Sequence, residues 1–385
     1  MDYLVQNVRS GILTCLLFVV FISGTIPSNL AITSLIVAAL FMAPFGGTYR
    51  INYRFILYIS ILFLTFFYFY YRGVFVYAAA EDEISQSVKS RLTWSLFYIP
   101  AFFFIAVFYR NVSVAAVRHT LIIFVGFWYL QTFVSYATGE YFDIWKILGF
   151  REQKAEAYFI KGIDLGFKLW RPTSFLNEPG TYASIVFLLL VADYINCEYR
   201  ITKTHLFTLS SFILSMSGFG FALAVVFSLG VVLSKKQASA GKSIFTTFAF
   251  LVVCCIAYLY YDFRSGFGDR AAGFEFRFVL IAKYATGTLQ ELIFGHSLDD
   301  TIIAAGKFGI MDAFVEDLSF AFYLNYHFGI IGFFLMIFYL LMFSNYKSSV
   351  FLILFLFPKI HIGAYALWMI ISIIKVNQII PRILK

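Results

Sequence analysis

The sequence is poor in charge. Only 13% of its 385 residues are Asp, Glu, Lys or Arg, about half the share found in soluble domains. So little charge cannot cover a water-facing surface of this size. The motifs of familiar chemistry are missing as well: there is no HExxH, no GxSxG and no CxxC. Gly241-Lys242-Ser243 ends like a phosphate-binding loop, but Lys236 stands where its first glycine is needed. Gly266-Phe267-Gly268 lacks the third glycine of a dinucleotide fingerprint. The cysteines, Cys15, Cys197, Cys254 and Cys255, lie in or beside apolar stretches, with no pairing to histidine that would hold a metal and no disulfide framework. No small-residue cleavage site follows the apolar core from Ile12 to Ile22, so that segment reads as a retained first span. What the chain has instead is apolar residues, 61% of the total, with 50 Phe and 26 Tyr. Its exterior faces lipid.

Apolar runs occur near residues 11–23, 30–45, 55–71, 94–109, 120–137, 180–195, 206–233, 244–260, 318–343 and 350–374, and a helical span needs about 20 residues. Porin-like alternation is absent, and only helices or closed barrels satisfy the backbone in lipid. The expected fold class is an all-α polytopic membrane protein. Two runs read as pairs of shorter spans. Ser215, Ser217, Gly218 and Gly220 interrupt 206–233, with Arg200 and Lys203 before it and Lys235, Lys236 and Lys242 after it. Two short spans returning to one side keep those cations together. Pro358, Lys359 and His361 divide 350–374 in the same way.

About twelve crossings follow, with both termini cytoplasmic. This topology puts 14 of the 29 cations on the inner face, Arg9, Arg110, Arg118 and Lys375 among them, beside 3 of the 21 acids, Asp2, Asp193 and Glu198. The asymmetry obeys the positive-inside rule and accounts for the net charge of +8 without nucleic acid. The chain reads as one membrane domain over 1–385, with outer loops at 72–93, 138–178 and 261–317. Chemistry is expected on those loops.

Arginines stand out there. Arg171 opens RPTSFLNEPG, where Pro172 and Pro179 stiffen the backbone around Asn177 and Glu178 as the chain re-enters the membrane. Arg264, Arg270, Arg277 and Lys283 follow within twenty residues, and 271–285 is apolar enough for a helix lying in the interface. Arg270 and Arg277 are two turns apart and would share a face. A guanidinium matches phosphate oxygens bidentately, so the set suggests a lipid-linked phosphate or pyrophosphate. The ordinary alternative is snorkelling to head groups or pairing with Glu178, Glu275 or Asp269. Glu178 and Asp317, at the mouths of two spans, are candidate general bases; the ordinary role of such acids is to cap a helix. His296 is a further candidate base. His327 lies inside a span.

These residues resemble a family. RPTSFLNEPGTYAS before a span looks like the Arg and Asn/Glu-Pro motif of the O-antigen polymerase (Wzy) and O-antigen ligase superfamily, and LSMSGFG resembles its Ser-rich helix pair. The run from Arg270 through FRFVLIAKY to FGHSL resembles its second periplasmic loop, and DLSFAFYLNYHFGIIGF its closing span. The likeness covers roughly 165–343. It implies a bacterial inner-membrane glycosyltransferase that works on the periplasmic face, with no nucleotide or metal cofactor. Its substrate would be an oligosaccharide on undecaprenyl pyrophosphate, with membrane lipid and a chain-length regulator as further partners. Arg171, Arg270, Arg277 and Asn177 would bind substrate; Glu178, Asp317 or His296 would act as base. Ligases of the family carry a histidine near the start of the late span, where this chain has Glu316-Asp317, which leans toward polymerase. A transporter or flippase is the rival reading; it calls for ionisable residues at mid-membrane and discontinuous helices.

Overall fold

The computed structural model describes residues 2–22, 29–41, 53–71, 83–148, 170–215, 217–234, 286–295, 301–306, 309–314, 319–360 and 364–380. They are helical almost throughout: α1 (Asp2–Ile22), α2 (Asn29–Phe41), α3 (Tyr53–Tyr70), α4 (Glu83–Phe108), α5 (Arg110–Thr138), α6 (Ile144–Ile147), α7 (Pro179–Asn196), α8 (Lys203–Leu214), α9 (Gly218–Leu233), α10 (Leu289–Phe294), α11 (Phe320–Leu341), α12 (Tyr346–Ile353) and α13 (Tyr365–Ile379). The exception is an antiparallel hairpin of β1 (Thr301–Gly306) and β2 (Gly309–Phe314), in register from Thr301 opposite Phe314 to Gly306 opposite Gly309. It departs from the all-helical expectation inside the 261–317 loop.

Among the described residues, Leu4–Ile22, Tyr53–Tyr70, Arg110–Thr138, Pro179–Asn196 and Phe320–Leu341 are long and apolar enough to cross a membrane, and several shorter apolar helices accompany them. The protein is a helical membrane protein. The break expected in 206–233 falls at Ser215–Ser217, where the Ser217 hydroxyl accepts the N–H of Gly220 and starts α9. The break expected near Pro358 separates α12 from α13. One loop is shorter than the sequence suggested: the chain is helical from Glu83, within the expected 72–93 loop. The 244–260 run and the 271–285 interfacial helix lie outside the described residues.

The chain divides into two compact units: Met1–Tyr49, Ala101–Gln237 and Trp368–Val376 in one, Arg50–Pro100, Ala238–Leu367 and Asn377–Lys385 in the other. In the first, α1 packs on α2 and α5, α5 on α7 and α8, and α7 on α8 and α9. At 78% buried, α7 is the most enclosed of the five long spans, the others lying between 33% and 50%. The α8–α9 pair runs along it and back. His205 starts beside Asp193, the Ser211 hydroxyl meets the Tyr182 hydroxyl at 2.8 Å, and α9 returns with Phe227 against Phe187 and then Tyr194. Both outer ends of this hairpin therefore sit at the Asp193 end of α7.

In the second unit α11 packs on α3, α10 and α12. Tyr58 stacks on Tyr339 with ring centroids 4.6 Å apart, and Phe69 meets Phe328 edge-on. Gly329, at φ 65° and ψ −171°, breaks α11 near its middle. The Tyr68 hydroxyl donates to the Phe328 carbonyl beside the break, at 3.3 Å. Gly295 abuts the same place: a Cβ on it would overlap the His327 carbonyl, and one on Gly329 would overlap the Ile293 carbonyl. Only glycine fits this crossing.

Three cations assigned to the inner face, Arg9, Arg110 and Lys375, are buried. Arg9 shows how a membrane protein tolerates that. It donates to the Phe108 carbonyl at the C-terminus of α4, the negative end of that helix, and lies over the Tyr109 ring at 4.8 Å.

Candidate functional site

Phe124, Trp128, Gln131 and Ser135 recur every three or four residues along α5, so they share one face. That face is fully buried against the segment that precedes α7. The Gln131 carbonyl oxygen accepts the backbone N–H groups of Thr173 and Ser174 at 2.9 and 2.8 Å, while its amide nitrogen donates to the Phe142 carbonyl at 2.8 Å. Two donors on one side and an acceptor on the other fix which way the amide points. The indoles finish the work: Trp128 Nε1 donates to the Pro172 carbonyl at 3.0 Å, and Trp145 Nε1 to that of Phe175 at 2.9 Å.

Ser174 sits at φ 55°, a conformation costly for a residue with a Cβ. Its hydroxyl donates to the Phe124 carbonyl at 2.9 Å, and Leu176 N–H closes the turn on the Thr173 carbonyl at 3.1 Å. Phe175 stacks on Phe127 at 4.1 Å and meets Phe18 and Phe124 edge-on. Asp143 caps α6 through the N–H groups of Trp145 and Lys146, which sets the Trp145 indole in place. Burial pushes the Tyr141 phenol up, so at neutral pH it keeps its proton while bonded to the Thr173 hydroxyl.

The pinned backbone carries the residues chosen from the sequence. Arg171 lies between two anchored carbonyls, since the Tyr136 hydroxyl donates to Trp170 at 3.3 Å and Trp128 holds Pro172. Its side chain is half-buried; Asn177 and Glu178 are exposed. Pro179 occupies the first turn of α7, where its missing N–H costs nothing. Glu178 is the N-cap residue, yet its side chain accepts no hydrogen bond from the helix. The capping role that an acid at this position ordinarily takes is therefore not what the carboxylate does. It is exposed at the positive end of α7.

No known protein family, curated protein or solved structure matches the chain. The site rests on its own geometry.

Arg270, Arg277, His296 and Asp317 lie outside the described residues. Arg171, Asn177 and Glu178 are therefore the candidates whose setting can be stated. Gln131, Trp128 and Trp145 were missed by sequence reasoning. The signal was a glutamine inside the apolar 120–137 run, since polar side chains at membrane depth are uncommon and usually bonded.

A second polar cluster occupies the other end of α7. His205 Nε2 lies 2.9 Å from Asp193 Oδ2 with both side chains fully buried, Arg118 Nε reaches Asp193 Oδ1 at 3.2 Å, and the same guanidinium contacts Cys197 Sγ. Asp193, Cys197 and His205 offer three ligand atoms within 4.8 Å of one another, a grouping of cysteine with histidine that the spacing along the chain did not show. Their hydrogen bonds give them another task. His205 Nδ1 accepts the Thr202 N–H at 3.1 Å as half of a capping box, so Nε2 carries the proton and donates to Asp193. A metal ion would need that nitrogen's lone pair and would face the charge of Arg118. The cluster is a lock on the α7–α8 turn, where Glu198 and Tyr199 both adopt left-handed φ.

Proposed function

We propose that this protein is an O-antigen or related surface-polysaccharide polymerase of the Wzy type, an inverting glycosyltransferase of the bacterial inner membrane with about twelve spans, cytoplasmic termini and a periplasmic site. The observation that carries the reading is the exposed Glu178 carboxylate, not spent on capping, at the end of a rigidly pinned segment that also holds Arg171 and Asn177. The growing glycan leaves undecaprenyl pyrophosphate and joins the non-reducing-end hydroxyl of a new lipid-linked unit. The acceptor oxygen forms a bond to the anomeric carbon as the carbon–oxygen bond to pyrophosphate breaks, and that bond's electrons pass to the leaving oxygen. Arg171, with Arg270 and Arg277, stabilises the charge that develops there at a low-dielectric interface. Glu178 takes the proton of the attacking hydroxyl, with Asp317 or His296 as the alternative base. Asn177 is placed to contact sugar hydroxyls.

The test is incubation of the purified protein with the undecaprenyl-pyrophosphate-linked oligosaccharide extracted from cells lacking this chain, without added nucleotide, followed by a gel for length. A ladder supports the polymerase; product only after addition of lipid A core means a ligase. A specific observation favours a second reading. The break of α11 at Gly329, next to the buried His327, is the discontinuous helix expected of a transporter or flippase. Movement of the lipid-linked oligosaccharide across a vesicle bilayer with no change in its length would decide for that reading.

A further inference from the structure

We infer that Gln131 is a positioning residue for this reaction: one buried amide sets the backbone from which Arg171 and Glu178 act. The inference rests on the polymerase reading above. Gln131 joins three stretches of chain through a single side chain, namely α5, the loop after it at Phe142, and the segment before α7 at Thr173 and Ser174. The two accepted N–H groups lie at the one left-handed residue of that segment, where the chain reverses before presenting Asn177 and Glu178. Two residues upstream of Thr173 is Arg171. A shift of the Thr173–Ser174 peptide is thus passed in both directions, to the group that meets the leaving oxygen and to the base. Trp128 supports the same backbone one residue earlier, at Pro172.

The experiment compares Gln131→Leu, Arg171→Ala and the double variant, using the full chain reconstituted in lipid at equal amounts of membrane-retained protein and the extracted lipid-linked oligosaccharide as substrate. Gln131→Leu is expected to lower kcat about a hundredfold, the scale of an ångström's misplacement, with KM unchanged, as for a contact made only in the transition state. The double variant should be slower than Arg171→Ala alone by clearly less than the Gln131→Leu loss, because part of that loss runs through Arg171 and only the rest through Glu178. Trp128→Phe, which keeps the ring and loses only the N–H donor, should lower kcat about fivefold; it carries the test if Gln131→Leu does not reach the membrane. A loss in the double variant equal to the product of the single losses would make Gln131 merely structural and overturn the inference. So would an Arg171→Ala defect beside a normal Gln131→Leu rate, which leaves the polymerase reading standing. A wild-type rate for Arg171→Ala would overturn the reading itself, and the inference with it.

Discussion

The two ends of α7 handle polar residues in opposite ways. At the Asp193 end, carboxylate, imidazole and guanidinium are turned toward one another, with His205 and Asp193 fully enclosed. At the Pro179 end, the groups that hold the backbone directly are an amide, two indoles and hydroxyls, while Glu178 is left exposed. Polar side chains that serve the fold spend their hydrogen bonds on each other or on the backbone. Those available for chemistry are carried on a backbone that other residues have already fixed.

That contrast can be broken by mutation, and the largest effect should come at the closed end. Asp193→Ala leaves the Nε2 proton of the buried His205 without its acceptor and removes a partner of Arg118, so it should cost about 2–3 kcal/mol of stability, read as thermal unfolding in detergent, while the surviving folded molecules keep their specific activity. Loss of activity at unchanged stability would erase the distinction. Glu178→Gln should behave in the reverse sense, with chain extension slowed about a hundredfold or more and stability held within about 0.5 kcal/mol, because the side chain is exposed. Arg171→Ala should match it in rate through the loss of leaving-group stabilisation. If Glu178→Gln keeps its rate, the base is Asp317 or His296.

Finer probes sharpen the comparison. Ser174→Ala removes the bond to the Phe124 carbonyl but keeps a Cβ at left-handed φ, so it should cost about 1 kcal/mol. Ser174→Gly should cost less, since glycine adopts that φ without strain. The smallest effect concerns Cys197. Burial, and then the charge of Asp193, push its thiol up, with Arg118 opposing. The thiolate is therefore scarce at neutral pH, and alkylation should accelerate only as pH rises above the range of a free cysteine. In Asp193→Ala one cause is gone, so the rise should come at lower pH; an unmoved profile would show that burial alone sets it.

Much of the helical order was legible because its punctuation is local. Ser215, Ser217 and Gly218 break one run and Pro358 another within a few residues of where the structure breaks them. The turn before α7 could be anticipated from Pro172 and Pro179. Its anchor could not, since Gln131 meets partners 42 and 43 residues further along the chain. Asp193 and His205 are nearer, twelve apart, but they meet only because the chain reverses through two left-handed residues that carry no glycine signal. The helical start at Glu83 was also hidden: Glu83–Ser90 is polar, and hydropathy reports burial in lipid and not helix length.

The α8–α9 hairpin bears on how the chain is made. Twelve residues of α8 reach about 18 Å and sixteen of α9 about 24 Å, short of a hydrocarbon core of about 30 Å. Neither arm would partition into the bilayer on leaving the ribosome. Both need each other and α7, whose Tyr182 and Asp193 receive Ser211 and His205. Integration is therefore a late, paired event: in a nascent chain ending after Leu214, α8 should stay open to protease, and in one ending after Ser234 it should be protected.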